Sequence, residues 1–489
     1  MVTCTENRRR LSRFAIATKK GFDTTGLIGV SILVMLCVFM ALPTWHTDAQ
    51  AEPKDPTVSE KPDSDQLYKF IGASSCDGSA CHGNSRAHNK LRIGQNEFYI
   101  WSQKDKHAKA YEALTNADAK IIARNLRIAK PEQSTRCLGC HAVSVSPERQ
   151  GRNYEITDSV SCEACHGPAE QWLNPHYRPG FDPQKATSLG MYNMKDLGKR
   201  AEKCLECHAG ADGKEVTHEL IRAGHPRLTF EIDTYTYVMP PHWLPPQENK
   251  NREWFNARLW AIGQAAAFRN QIKRLAASRQ ADFWARPDFT NFDCFACHHA
   301  VVDRLRGITK EDENKQLWRR RDYGGKPDRL VWNSSSYEVF RHVVILAASG
   351  EGKHLEQLMR TVHEGLTGKG ISHGSFNVAL RKLSALSDQL VSQVAQYNFT
   401  QQSVFSLMKN ISGDRRRLST SGFLAAEQAV LAIASLYDAY VATAGGMSEA
   451  KAIKDTIDAL YKEIHSGWAF NPTEFEARMN ELHRLLSKT

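Results

Sequence analysis

The sequence predicts an all-α fold, and three observations carry that expectation. Between residues 305 and 489, apolar side chains recur at three- and four-residue steps in 337–347, 354–362, 376–390 and 423–444, the spacing of one buried helix face. Gly350, Gly352, Gly368, Gly370, Gly374, Gly445 and Gly446 punctuate these stretches, as helix breakers should. Residues 252–279 repeat the pattern with Trp254, Phe255, Leu259, Ile262, Ala266 and Phe268, which predicts the longest helix of the first half. From Tyr68 to Ala300, finally, the segments between cysteine motifs are short and leave room for modest helices such as 117–126. No fixed-period repeat is present.

The 489 residues are 41% apolar and 24% charged, an ordinary globular balance. The chain opens on a leader. Arg8, Arg9, Arg10, Arg13, Lys19 and Lys20 form a basic stretch, residues 26–42 are apolar without a charge, and Ala49-Gln50-Ala51 fits a small-residue cleavage site. The apolar run is long for a signal peptide and slightly short for a spanning helix. Residues 1–51 therefore read as a signal peptide or a single N-terminal membrane anchor, with cleavage after Ala51 favoured. Cys37 follows Met35 and Leu36, not the small residues a lipid anchor needs. Either outcome puts residues 52 onward outside the cytoplasm, secreted or anchored. Residues 52–66 are polar and Pro-rich and read as a flexible linker.

Ten of the twelve cysteines form five pairs, each closed by a histidine. Four are Cys-x-x-Cys-His: Cys137, Cys140 and His141; Cys162, Cys165 and His166; Cys204, Cys207 and His208; Cys294, Cys297 and His298. The first is wider, Cys76-Asp-Gly-Ser-Ala-Cys81-His82, and is the least certain of the five. A disulfide has no use for the histidine, and zinc would couple the motifs in pairs. Covalent haem needs this layout: two thiols add across two vinyl groups, and the next side chain supplies the proximal nitrogen. Five haems c are expected. The formal charge of +10 falls to +7 without the leader. Five haems bring ten propionates, so the excess reads as counter-charge for the cofactors rather than as a nucleic-acid surface.

Distal ligands decide between electron transfer and catalysis, because an iron with two His ligands is closed and an open one binds small molecules. Outside the motifs the first half offers His88, His107, His176, His218, His225 and His242, with His299 beside a proximal ligand. His88, His299 and the six histidines of the C-terminal half read as solvated or structural. His218, His225 and His242 lie among Pro and Gly turns. They could be distal ligands of the haems at His82, His208 and His298, or loop histidines bonded to backbone or propionates.

The run Trp101-Ser-Gln-Lys-Asp-Lys-His107-Ala-Lys-Ala110, then Cys137-Leu-Gly-Cys140-His141, Tyr154-Glu-Ile156 and Cys162-Glu-Ala-Cys165-His166-Gly-Pro168 with His176 downstream, carries a resemblance. It is similar to the family of nitrifier tetrahaem cytochromes c that accept electrons from hydroxylamine oxidoreductase. The likeness is densest over residues 98–178 and covers about a quarter of the chain well. It implies a mostly helical fold with closely stacked haem pairs, His107 and His176 as distal ligands, mostly bis-His irons, and one iron that can be five-coordinate and bind nitric oxide. The wider first motif, the fifth motif at Cys294 and the long helical C-terminal half depart from that pattern.

The expected organisation is a leader at 1–51, a linker at 52–66, a pentahaem cytochrome c domain at 67–304 and a helical C-terminal domain at 305–489. The expected function is electron transfer through covalently bound haems in the periplasm, serving redox partner proteins of respiration or the nitrogen cycle, with no nucleic acid. Membrane association, if any, would run through residues 26–42. The rival is a redox enzyme acting on hydroxylamine, nitric oxide or nitrite at a five-coordinate haem. No Cys-x-x-Cys-Lys motif is present to support it. A third reading makes the helical half an anchoring surface for a partner enzyme. The run Arg319-Arg320-Arg321 reads as a solvated or propionate-pairing surface rather than a docking site.

Overall fold

The computed structural model describes residues 68–88, 93–243, 253–277, 288–294, 332–366, 371–465 and 470–488. The leader, the linker, Cys297, His298, His299 and the run Arg319–Arg321 lie outside them. The fold is all-α. The described residues contain two isolated β-bridges, Phe70 with Gln150 and Phe292 with Trp332.

In the first half the helices are short: α1 (Glu97–Lys104), α2 (Ala117–Asn125), α3 (Thr135–His141), α4 (Cys162–His166), α5 (Pro183–Ser188), α6 (Leu197–His208), α7 (His218–Arg222) and α8 (Ile232–Val238). Local sequence starts them. Asn116, Asp182, Asp196 and Thr217 each accept a backbone N–H of the first turn, satisfying donors a helix start leaves open. Three of these helices, α3, α4 and α6, end on the histidine of a cysteine motif.

The second half is built of longer helices: α9 (Phe255–Ala277), α10 (Ser335–Ala347), α11 (Gly352–Leu366), α12 (His373–Gln396), α13 (Gln401–Gly413), α14 (Arg415–Thr420), α15 (Phe423–Ala444), α16 (Ala450–His465) and α17 (Pro472–Leu486). The periodic stretches at 337–347, 354–362, 376–390 and 423–444 fall inside α10, α11, α12 and α15. Helix α9 is buried on nearly every face, from Ala257 and Trp260 through Phe268 to Leu275. It packs on α6 and α8 on one side and on α10, α12 and α15 on the other. One apolar core runs from Trp254 and Phe268 through Phe340, Leu383, Val430 and Ile457 to Leu482.

Gly263 marks the closest approach of α9 to α8. A Cβ there would run into the Ile232 side chain. Since Ile232 is itself buried and packed beside Leu205 of α6, neither helix can give way freely. Gly263→Ala should lower stability by about 1–3 kcal/mol, read as a shift of the urea midpoint. An unchanged midpoint would show that α8 is free to move.

Two buried carboxyl residues sit on the same seam. Glu231 caps α8 through the N–H groups of Asp233 and Thr234, and Ser435 of α15 donates to it at 3.0 Å. Burial, then the neighbouring Glu231 and Asp438, push the Asp233 carboxyl up from 3.8 to about 8. The folded chain therefore holds a proton here that the unfolded chain releases above about pH 4. This contribution to stability is fully present below that pH and is lost as pH rises through about 8. Asp233→Asn should flatten the fall in stability between pH 5 and pH 9; an identical fall would locate the effect elsewhere.

Candidate haem sites

Each described motif places its histidine at a helix end or a tight turn. Cys137–His141 fills most of α3, Cys162–His166 is α4, and Cys204–His208 is the last turn of α6. One helical turn sets the two thiols and the imidazole on neighbouring faces, which is the local reason the x-x spacing works. The first motif begins in a short 3-10 turn at Ala73–Cys76 and continues through turns at Gly78–Cys81. None of the described cysteines forms a disulfide.

The histidine rings meet in twos. His82 faces His176 with ring centres 6.2 Å apart, His208 faces His107 at 6.1 Å, His141 faces His225 at 6.5 Å, and His166 faces His242 at 6.5 Å. Two imidazoles on opposite sides of one metal sit about 6 Å apart, from two metal–nitrogen bonds of ~2 Å and ~1 Å from each nitrogen to its ring centre. Every pair joins one motif histidine to one of the extra histidines. Among the described residues no group of three or more His, Cys, Asp or Glu could hold a metal ion.

The outer nitrogens settle which ring atom faces inward. His82 Nδ1 donates to Glu97 Oε2 at 2.8 Å, and His107 Nδ1 to Asp105 Oδ1 at 2.9 Å. His141 Nδ1 donates to the Ala110 carbonyl at 2.7 Å and His225 Nδ1 to that of Pro226 at 2.7 Å. His176 uses the Leu173 carbonyl, and His242 that of Pro240 at 3.5 Å. With Nδ1 so engaged, Nε2 is left with its lone pair for a metal. Burial, then His242 and His82, hold His166 down to about 4. Burial and then His107 do the same for His208. Both rings are neutral at pH 7, as a ligand must be. The buried Trp172 indole N–H has no acceptor among the described residues, and its ring lies 5.7 Å from that of His176. These residues fit haem.

The sites are neighbours. Cys76 and Cys162 lie within hydrogen-bonding reach, as do Cys140 and Cys207, and Cys165 interacts with Cys204 and Cys207. That places the first motif beside the third, the third beside the fourth, and the fourth beside the second. The His218 ring lies 5.5 Å from Phe289, and its backbone N–H donates to Asp288 at 3.0 Å, just before Cys294. His88 is exposed, in the turn that joins its N–H to the Gly94 carbonyl.

Sequence reasoning missed the residues that hold the histidines. Asp105 is legible in retrospect, since an Asp two residues before a His bonds back to it. Glu97 and Glu163 are not. Glu163, inside the third motif, is buried and accepts the N–H groups of Ile71 at 2.9 Å, Gly72 at 2.9 Å and Ala169 at 2.8 Å. It clamps the loop leading into the first motif onto α4. Glu163→Ala would strand three backbone donors and should lower stability by about 3 kcal/mol or more, read by chemical denaturation. A loss below about 1 kcal/mol would mean water replaces the clamp.

The model of the family described as cytochrome c554 and c-prime matches residues 75–167, a segment holding the first three motifs and His107. Cytochrome c-554 of Nitrosomonas europaea is 28% identical over 145 residues, 27% of this chain and 60% of that protein. The likeness therefore spans less than two thirds of the relative. No solved structure matches. The chain is thus an all-α protein with repeated cysteine–histidine motifs of the haem-attachment type, and its residues 75–167 are similar to the family of cytochrome c554 and c-prime.

Proposed function

We propose that the chain is an extracytoplasmic electron carrier that binds five haems c and passes electrons between redox partner proteins. The observation that supports it is the set of four facing histidine pairs, each 6.1–6.5 Å between ring centres. Haem, when bound, supplies a one-electron couple in place of any chemistry by the side chains. The chain does the rest. Cys76 and Cys81, Cys137 and Cys140, Cys162 and Cys165, Cys204 and Cys207, and Cys294 and Cys297 fix the attachment. His82, His141, His166, His208 and His298 supply proximal nitrogens. His176, His225, His242 and His107 close the first four sites in that order, and His218 is the remaining candidate for the fifth.

In this reading a ligand on both faces keeps small molecules off the metal. It favours a carrier over an enzyme working on nitric oxide, nitrite or hydroxylamine, since each of the four described motif histidines has a second histidine facing it. Neighbouring motif cysteines give a relay order of first, third, fourth and second. The fifth extends it near Arg227, whose charge interacts with Cys294. Among the described residues no helix is long and apolar enough to cross a membrane, and residues 26–42 are not among them. Residues 67–304 as the haem region and 305–489 as its helical partner remain the division we propose.

Intact mass and haem quantitation test the count. We expect five haems per chain and four in Cys81→Ser; four in the parent, unchanged in that variant, would remove the first motif. A wholly low-spin ferric spectrum, unmoved by cyanide or nitric oxide, is expected of the parent. His225→Ala should open one site, giving one high-spin signal and one ligand-binding equivalent at unchanged haem content. A high-spin signal in the parent would sink the closed-carrier reading.

A further inference from the structure

The four pairs are not alike. The His82 and His176 rings are close to parallel, at 17°, whereas the pairs His107–His208, His141–His225 and His166–His242 are crossed at 85°, 86° and 80°. Parallel imidazoles direct their π-donation into one metal orbital, which stabilises the oxidised state and gives a rhombic low-spin signal. Crossed rings divide it between two orbitals and give a signal with a single large g value.

Hydrogen bonding separates the sites again. Glu97 opens helix α1, and both its oxygens are engaged: Oε2 by His82 Nδ1 at 2.8 Å and Oε1 by the Gly94 N–H at 2.8 Å. The carboxylate is therefore held in place, with the two side chains 18% and 27% exposed. An imidazole that donates Nδ1–H to a carboxylate gains anionic character and becomes a stronger donor to its metal. The second and third sites have backbone carbonyls instead. The fourth has Asp105 but crossed rings.

Fixed charge points the same way. Asp77 acts on Cys76, whereas Lys214 Nζ stands 4.0 Å from Cys207 Sγ. Lys203 is also near Cys207, with Glu206 as the shared partner of both lysines. Negative charge favours the oxidised metal and positive charge the reduced one.

We infer that Glu97 is a positioning residue that, together with the parallel ring setting, makes the His82–His176 site the lowest-potential of the four described sites. This deepens the carrier reading and rests on it. The row of sites then has a starting end: electrons entering at the first motif leave it downhill for its neighbour, the third. Glu97 acts through His82 and touches neither substrate nor metal.

The test is a redox titration of the holoprotein followed by electron paramagnetic resonance, with intact mass as the control. The rhombic signal should be the last of these four to disappear on reduction, and its absence in His176→Ala should assign it to this site. In Glu97→Gln its midpoint should move upward, with haem count, g values and the midpoints of the large-g signals unchanged. Five haems with an unmoved rhombic midpoint, or a shift shared by every signal, overturns the inference. Should Glu97→Gln lose haem, the parent decides, because a rhombic signal that reduces before the others overturns it too. A parent with four haems and an unmodified first motif overturns the reading beneath it instead.

Discussion

The distance between two imidazole rings governs this fold. Ring centres lie 6.1–6.5 Å apart in each of the four described pairs, the space that a metal bound on both sides would need. The consequence shows in the packing. Among residues 68–243 the apolar clusters are slight: Leu114, Leu138 and Ala142 in one, and Ala201, Leu205 and Ile232 with two residues of α9 in another. The second half holds a continuous core from Trp254 to Leu486. A segment of that length with so little core is unstable unless something else is buried in it. In the proposed carrier, haem faces would supply the missing surface, so that the metal ligands and the hydrophobic core of this half would be one problem.

That constraint explains the long helices beside it. Helix α9 gives one face to α6, whose last turn is the fourth motif, and another to α12 and α15. The contact is then locked by polar groups. Arg227 reaches Glu427 of α15 at 2.9 Å, and Ser435 of the same helix bonds Glu231. At the start of α15, Gly422 has φ +101°, and a Cβ there would stand 3.0 Å from the carboxylate of Asp293, the residue before Cys294. Buried ion pairs and tight glycine contacts add little net stability, but they fix one arrangement against sliding. Fixing matters here, because the facing histidine pairs could hold a shared group only with little displacement.

Much of this is written in the chain. Period-3.6 patterns gave the long helices because α10, α11, α12 and α15 bury one face or more and nothing competes with that signal. The cysteine motifs were legible because covalent attachment demands a local spacing. The partner histidines were legible as a surplus but not as a pairing. His176 lies ten residues beyond His166, yet its ring faces His82; His107 lies nearest the first two motifs, yet faces His208. Such pairings join residues about a hundred positions apart, and no periodicity encodes them. Glu97 and Glu163 were invisible for the same reason: a carboxylate near a motif is ordinary until the fold shows what it holds.

A consequence follows for how the sites differ. Proximal attachment is set by a single helical turn and is nearly the same at the second, third and fourth motifs. Ring angle and the partner of Nδ1 are set by loops, which differ at every site: a helix-opening glutamate, a turn aspartate, or the carbonyls of Ala110 and Pro226. One repeated motif can thus yield unequal sites, because the repeated part fixes attachment and the unrepeated part fixes donor strength. In the proposed carrier the sequence repeat would give electrons a path, and the loops around it would set its direction.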